Sequence, residues 1–273
     1  MTPEEPLRPD SVSLELTRLL HQEDPDGSRF GRVLRESFDQ AYDGVHTGRF
    51  RPEELSKTES AHIGSIVEIN IRREFDGFIT DGISMDFQIN GYDVDCKYSK
   101  QPFGWMIPNE TVGHYALVVH ADDRKGLWRA GFVRISEEIL TQGGNRDQKR
   151  TIKAAGREAI SWAWMDAPLP PNVLLQLPPE VSAALMTNRS GQQRINNLFR
   201  SALGMRIPRG TVATVAMQKD YMKRVRGNGG ARSTLQPEGI VILGDYLYHR
   251  QIAKQLGLPV PKAGDSVAVR LVP

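Results

Sequence analysis

The chain contains the run Asp81-Gly-Ile-Ser-Met-Asp86-Phe-Gln-Ile-Asn90-Gly91-Tyr-Asp-Val-Asp95-Cys96-Lys97-Tyr98, in which hydrophobic and polar residues alternate on both sides of Asn90-Gly91. Alternation with a period of two predicts two strands, each with one buried face. Asn-Gly is the dipeptide most typical of a two-residue type I′ turn, because both central positions of that turn need a positive φ. We therefore predict a hairpin in which Asp86 lies directly opposite Asp95.

This register, which also places Ser84 opposite Lys97, gives the hairpin a possible chemistry. Opposed residues have Cβ atoms about 4.5–5.5 Å apart, and two like charges there are unfavourable by roughly 0.2–1 kcal/mol. A Mg²⁺ ion would relieve that repulsion, since it binds one or two carboxylates and keeps several waters. Lys97 points to the same face as Asp95, where it can hold an attacking water or offset charge on a phosphate. A surface hairpin with a solvated polar face is the alternative.

Composition narrows the class of protein. A chain of 273 residues allows one large or two modest domains, and we expect two. It contains no apolar run long enough to span a membrane, and residues 1–10 are unlike a signal or transit peptide. The single cysteine, Cys96, fits a reducing compartment and is expected to pack in the core as a small hydrophobic residue. These features predict a cytoplasmic protein.

Charge is unevenly distributed along the chain. The net charge is +2, but residues 181–273 contain 14 Lys and Arg residues against four Asp and Glu residues. This segregation predicts that the C-terminal part binds a polyanion, while the acidic N-terminal part gathers carboxylates for a local purpose. A basic surface without a ligand is the alternative.

A helix is predicted from about residue 56, because Ser56-x-x-Glu59 fits a capping box and apolar residues then recur on one face. Glu68 lies within this helix. It can form a surface ion pair with Arg72 four residues later. It can also reach across to the two aspartates of the hairpin as a further carboxylate. The sequence leaves both roles open.

The ordered set of Glu68 on a helix, then Asp86, then Asp95-x-Lys97 resembles the PD-(D/E)xK nuclease core. The surrounding sequence is similar in particular to NaeI-type restriction endonucleases. The runs that carry this resemblance are His62-Ile-Gly64, Val67-Glu68-Ile-Asn70-Ile-Arg-Arg73-Glu74-Phe75 and Asp81-Gly82-Ile-Ser-Met-Asp86 through Asp95-Cys96-Lys97. Asp95 stands where this motif usually has Glu, a replacement that the family pattern permits.

The resemblance implies a bacterial, dimeric, Mg²⁺-dependent type II restriction enzyme. Its catalytic domain would be similar to the mismatch-repair nuclease MutH. Its second domain would resemble the DNA-binding part of catabolite activator protein and would bind a further copy of double-stranded DNA. By the same resemblance Asp86 and Asp95 would bind the metal with Glu68 assisting from the helix, and Lys97 would position or activate the water.

We predict an α/β fold in which residues 1–165 form the endonuclease catalytic domain, a mixed sheet flanked by helices. Residues 173–273 would form a mainly helical, winged helix-turn-helix-like domain, joined to the first by the proline-rich connector 166–172. Two short helices, 209–217 and 219–226, have the spacing of a helix-turn-helix, and residues 227–232 would form a basic wing. The candidate DNA-binding residues are Lys219, Tyr221, Lys223, Arg224, Arg226 and Arg232. A small helical domain with a solvated basic face is the alternative.

Two functions of different classes fit these features. One is a sequence-specific endonuclease that hydrolyses phosphodiester bonds of double-stranded DNA, with the symmetry of a palindromic site matched by a homodimer. The other is a non-catalytic DNA-binding regulator, and a repair-type nicking endonuclease is a third possibility. The presence of all four core residues favours an active nuclease, because an inactive core is expected to lose at least one of them.

Overall fold

The computed structural model describes residues 7–271 and divides the chain into two compact units. The first contains the residues up to Phe38 together with Lys57–Pro170, and the second contains Asp39–Ser56 together with the residues from Pro171 onward. The chain leaves the first unit for the second between residues 170 and 171, which lie inside the predicted connector 166–172. Residues 1–6, part of the segment judged unlike a signal peptide, lie outside the described residues.

The assignment of residues 39–56 to the second unit differs from the predicted division at 165–173. Phe50, 5% exposed, belongs to the hydrophobic core of the second unit. Its carbonyl oxygen accepts a hydrogen bond from Nδ2 of Asn172 at 2.8 Å. Phe50 is buried among residues that lie more than 100 positions later in the chain. This burial places its segment in the second unit, which the pattern of residues along the chain did not predict.

The first unit is built on one six-stranded sheet. Its strands are β1 (Ile79–Asp81), β2 (Phe87–Ile89), β3 (Tyr92–Ser99), β4 (Tyr115–Asp122), β5 (Leu127–Arg134) and β6 (Ser161–Pro168). They lie in the order in which they occur in the chain, and only β3 and β4 are parallel. Together with the helices that pack on it, this sheet confirms the predicted mixed α/β fold.

Three helices of the first unit pack against this sheet. They are α1 (Ser11–Glu23), α2 (Ser28–Tyr42, of which residues 28–38 belong to this unit) and α4 (Lys57–Glu74). α1 begins where Asp10 accepts a hydrogen bond from the backbone N–H of Ser13 at 2.7 Å, an N-cap. Phe30 of α2 stacks on Trp128 of β5 with ring centroids 5.1 Å apart. α4 packs against β3 and so brings Glu68 to the strand that carries Asp95 and Lys97.

The hairpin of β2 and β3 has the predicted register and turn. Phe87 pairs with Val94, and Ile89 pairs with Tyr92. Asn90 and Gly91 have φ values of 50° and 82°. These values are those that a type I′ turn requires.

The first strand of this hairpin is shorter than predicted, because residues 82–86 form an irregular connection between β1 and β2. Ile83 is 85% exposed instead of buried. The carboxylate of Asp93 accepts hydrogen bonds from the backbone N–H groups of Ile83 and Ser84, at 2.9 and 3.1 Å. These bonds hold the segment out of the strand, so the predicted pairing of Ser84 with Lys97 is wrong.

The second unit combines short helices with a small antiparallel sheet. Its elements are α3 (Gly44–Thr47), α5 (Val173–Gln176), α6 (Pro179–Thr187), α7 (Gly191–Ser201), β7 (Arg206–Ile207), α8 (Arg209–Ala216), α9 (Ala231–Leu235), β8 (Ile240–Gly244), α10 (Leu247–Gln255) and β9 (Ser266–Arg270). The strand order is β7-β9-β8. No helix in the described part of the chain is both long and apolar enough to cross a membrane.

Two elements of the predicted helix-turn-helix differ in the structure. The first predicted helix is α8, but residues 219–226 contain only the short 3-10 helix Tyr221–Val225. The predicted basic wing at 227–232 is also wrong in part, because Arg232 lies on α9. Ala231 and Leu235 are both fully buried, and the helix Ala231–Leu235 places these two residues, four apart, on one face.

Candidate active site

Three of the four candidate catalytic residues lie within one cluster of ion pairs in the first unit. Asp95 and Lys97 project from the same face of β3, and Asp86 comes from the irregular connection that precedes β2. Nζ of Lys97 lies 2.6 Å from Oδ1 of Asp95 and 3.8 Å from Oδ2 of Asp86. One ammonium group therefore contacts both carboxylates.

Asp86 reaches this cluster in a different way from that predicted. The ladder between β2 and β3 begins at Phe87 and Val94, so Asp86 lies one residue outside it. Its Oδ2 accepts a hydrogen bond from the backbone N–H of Cys96 at 2.8 Å. The side chain of Asp86, and not a backbone pair, thus joins this residue to β3 beside Asp95.

Asp95 occupies the most buried position of the cluster, with 5% of its surface exposed. Burial is the main cause that raises the pKa of its carboxyl group, and the neighbouring Asp86 raises it further, while Lys97 opposes the rise. Its Oδ2 accepts a hydrogen bond from Oγ1 of Thr111 at 3.1 Å. The site therefore holds a carboxylate whose negative charge is only partly compensated.

Lys97 is retained as a cation by its two acidic neighbours. Burial lowers the pKa of its ammonium group, but the hydrogen bond to Asp95 and the charges of Asp95 and Asp86 raise it by more, so the pKa lies above its ordinary value. A protonated amine can donate hydrogen bonds and offset negative charge, but it cannot accept a proton. The geometry thus favours positioning or charge stabilisation over general-base chemistry for Lys97.

Glu68 of α4 shares the electrostatic environment of this cluster. Burial raises the pKa of its carboxyl group first, followed by the charge of Asp86, whereas Lys97 lowers it. Arg72, its alternative partner, donates instead to Asp76 and Asp81, both at 2.9 Å. The structure therefore places Glu68 close enough to the other three candidate residues for their charges to act on its carboxyl group.

The carboxylates fit a hard divalent cation. Within residues 7–271 no three His, Cys, Asp or Glu side chains converge closely enough to enclose a metal ion. Mg²⁺ is commonly bound by one or two carboxylates, with waters and substrate phosphates completing its octahedron. Asp86 and Asp95 supply such a pair of oxygen ligands, and both contact the ammonium group of Lys97, so the two carboxylates lie close to one point.

The thiol of Cys96, unlike its backbone N–H, is not a candidate for this chemistry. Its thiol is buried, and burial raises its pKa well above the ordinary value. Since the thiolate is the reactive form of cysteine, this raised pKa disfavours reaction of the thiol, and Cys96 packs in the core as expected.

We predict that Glu68→Gln stabilises the first unit at neutral pH. Because the pKa of Glu68 is raised on folding, the folded chain binds this proton more tightly than the unfolded chain does. The contribution of this proton to the free energy of unfolding is fully present below the unfolded-state pKa and is lost as the pH rises through the folded-state pKa. In EDTA at pH 7 the variant should unfold about 1–2 °C higher than the wild type, and near pH 4 the difference should shrink.

Thermal unfolding followed by circular dichroism measures this effect. The matched control is Glu138→Gln, which removes the same charge from an exposed position of the same unit. A lower midpoint for Glu68→Gln at pH 7 would contradict the assignment of Glu68 to a site of excess negative charge.

The six candidate DNA-binding residues lie in the second unit and are not equivalent. Lys223, Arg224 and Arg226 line an open, polar cavity of about 610 Å³, and Arg226 and Arg232 line a second cavity of about 340 Å³. Lys219 is exposed outside both cavities. The hydroxyl of Tyr221 accepts a hydrogen bond from the guanidinium group of Arg209.

Several of these cations have partners within the unit. Arg224 donates twice to Oε1 of Gln218, Lys223 pairs with Asp220, and Arg232 donates to the carbonyl oxygen of Ile242. The structure therefore groups Lys223, Arg224 and Arg226 around one cavity, while Tyr221 and Arg232 also serve packing.

Two residues that support the cluster of candidate catalytic residues were not predicted from the sequence. Asp93 holds the connection that presents Asp86, and Thr111 donates to Asp95. Asp93 lies on the polar face that the alternation in the hairpin predicts. Its hydrogen bonds to the backbone N–H groups of Ile83 and Ser84 could not be predicted from that pattern. Thr111 is separated from Asp95 by 16 residues and had no recognisable signal.

Comparison with known proteins gives consistent results. The family model described as restriction endonuclease NaeI matches residues 14–273. A curated relative, the type II restriction enzyme NaeI of Lentzea aerocolonigenes, is 44% identical over 272 residues, which cover 97% of this chain and 85% of the relative. The match thus includes both compact units.

Proposed function

The chain belongs to the NaeI family of restriction endonucleases, and from this we propose that Asp86, Asp95 and Lys97 form the site at which it cuts double-stranded DNA with the help of Mg²⁺. Family membership makes the chain a site-specific deoxyribonuclease of the restriction type. The observation that supports the proposed site is the ammonium group of Lys97, which contacts the carboxylates of Asp86 and Asp95 together. That combination matches the needs of phosphodiester hydrolysis.

The proposed roles follow from the chemistry of each group. Asp86 and Asp95 would hold the cation, with Glu68 adding negative charge from α4. When bound, a divalent ion polarises a phosphoryl oxygen and makes water a better nucleophile at neutral pH. Lys97, kept protonated by its neighbours, would orient the attacking water or donate to a phosphate oxygen on which negative charge develops.

The second unit is proposed to be a DNA-binding domain of the winged helix-turn-helix type. Support comes from the order of its elements, since α7, β7, α8, α9 and β8 precede β9, with α10 inserted between β8 and β9, and the sheet order is β7-β9-β8. Support also comes from the basic residues around its open cavity of about 610 Å³. Such a domain would allow a second copy of DNA to bind, and a homodimer would match a palindromic site. The proposal places the protein in the bacterial cytoplasm.

Digestion of a mixed panel of plasmid and genomic DNA tests this function. Purified protein is incubated with the DNA in the presence of Mg²⁺, Mn²⁺ or EDTA. Discrete DNA fragments are expected with Mg²⁺ and with Mn²⁺, and intact DNA is expected with EDTA. Conversion of supercoiled plasmid only to the nicked circle would favour a repair-type enzyme. Intact DNA under every condition would favour the non-catalytic regulator.

Binding of DNA by the second unit should depend on salt through Lys223 and Arg226. The double variant Lys223→Ala/Arg226→Ala is expected to bind duplex DNA more weakly in EDTA. The slope of log K against log salt should fall by about 2, because each phosphate contact contributes about 0.9 to that slope. Fluorescence anisotropy across a salt series measures it.

The matched control is Lys254→Ala/Lys262→Ala, which removes two positive charges from exposed positions of the same unit. Equal slopes for the two double variants would show that Lys223 and Arg226 make no particular phosphate contacts.

A further inference from the structure

Thr111 lies beside the catalytic cluster although it is remote from it in sequence. It ends the 3-10 helix Asn109–Thr111, which precedes β4, and no part of its side chain reaches solvent. Its hydroxyl donates to Oδ2 of Asp95 at 3.1 Å. Both groups are buried, so little water is present to replace this hydrogen bond if it is lost.

The two oxygens of Asp95 are held by chemically different partners. Lys97 donates to Oδ1 and Thr111 donates to Oδ2. A second hydrogen bond from a separate element fixes the rotation of the carboxylate about its Cβ–Cγ bond, which one bond alone does not. Because the threonine hydroxyl is neutral, it orients the carboxylate without competing electrostatically with a bound cation.

Thr111 is itself anchored on both sides. Its backbone N–H donates to the carbonyl oxygen of Pro108 at 3.2 Å, and its carbonyl oxygen accepts from the N–H of His114 at 3.0 Å. Just before the 3-10 helix, Ile107 and Arg150 exchange two backbone hydrogen bonds of 2.8 and 2.9 Å. The hydroxyl is thus presented from a segment that is held in place independently of Asp95.

We propose that Thr111 is a positioning residue, whose hydroxyl holds Asp95 in the orientation that binds the divalent cation. This inference rests on the proposed role of Asp95 as a metal ligand. Partners that orient metal ligands are worth about 10–100-fold in metal affinity or activity when removed. If Thr111 only fills space, removing its hydroxyl changes the stability of the protein but leaves its Mn²⁺ binding and the Mg²⁺ dependence of cleavage unaltered.

The test compares Thr111→Val, which keeps the shape but loses the hydroxyl, with Thr111→Ser, which keeps the hydroxyl. Cleavage rates are measured across a Mg²⁺ series. Thr111→Val should raise the Mg²⁺ concentration for half-maximal rate by about 10–100-fold, whereas Thr111→Ser should stay within a few-fold of the wild type. If Thr111→Val folds poorly, Thr111→Ala against Thr111→Ser makes the same comparison.

A second measurement does not depend on activity. Free Mn²⁺ is followed by electron paramagnetic resonance during titration of the protein without DNA, and weaker binding by Thr111→Val than by Thr111→Ser is expected. The control variant is Thr17→Val, which removes a threonine hydroxyl bonded to Ser161 in the same unit. It should alter stability without altering the Mg²⁺ dependence.

The outcomes separate the two proposals. Wild-type protein that cleaves no DNA would remove the proposed function. Wild-type protein that cleaves, together with a Thr111→Val variant of unchanged Mg²⁺ dependence and Mn²⁺ binding, would overturn the role of Thr111 alone.

Discussion

Lys97→Ala is expected to lower the rate of DNA cleavage by about 10³-fold or more while the chain remains folded. The ammonium group lies between the carboxylates of Asp86 and Asp95, and no neighbouring cation of this cluster replaces it in the described part of the chain. Removal of one group that stabilises transition-state charge typically costs about 10²–10³-fold in rate. Loss of water positioning at the same site adds to this cost.

Single-turnover cleavage of a plasmid at saturating Mg²⁺ measures the effect. The matched control is Lys125→Ala, whose side chain is 70% exposed in the same unit and pairs with the Asp122 side chain at 3.7 Å. That control should cleave like the wild type. Cleavage by Lys97→Ala within 10-fold of the wild type would exclude a direct role for this residue.

A comparison with Asp86→Ala separates two ways of losing activity. Asp86→Ala should lose cleavage together with Mn²⁺ binding, since it removes a proposed ligand. Lys97→Ala should lose cleavage while retaining Mn²⁺ binding, because it removes a competing positive charge from beside the ligands. The reverse pattern would assign the metal to other residues.

Asp123→Ala is expected to lower the free energy of unfolding of the first unit by about 3–5 kcal/mol. Its carboxylate pairs with the guanidinium group of Arg35, and the two side chains are 2% and 7% exposed. The substitution would replace a buried ion-pair partner of the Arg35 guanidinium group with an apolar methyl group. The cost of keeping the Arg35 charge desolvated without this carboxylate, and not the strength of the ion pair itself, is the reason for the large effect.

Urea denaturation monitored by tryptophan fluorescence measures this loss, since Trp128 and Trp164 lie in the first unit. Glu137→Ala is the matched control: it breaks an ion pair with Arg150 in which the glutamate side chain is 71% exposed. Exposed pairs contribute about 0–1 kcal/mol. The double variant Arg35→Met/Asp123→Leu should regain much of the stability. A loss below about 1 kcal/mol in Asp123→Ala would show that water reaches this pair.

The sequence by itself determined the features that depend on neighbouring residues. Alternation and the Asn90-Gly91 turn specified the register of β2 and β3, because period-two burial and the φ angles of a type I′ turn are properties of a few adjacent residues. That register placed Asp95 and Lys97 on one face of β3. Helical periodicity placed Glu68 on α4, and the count of charged residues separated an acidic part from a basic part.

Only the tertiary structure decided the features that depend on contacts between distant residues. Asp93 withdraws residues 83–84 from the strand, Phe50 draws its segment into the core of the second unit, and Thr111 reaches Asp95 across 16 residues. No periodicity or turn chemistry encodes such contacts, because each one forms only after separate elements have packed. The sequence therefore identified the catalytic residues we propose, and the packing supplied the groups that orient them.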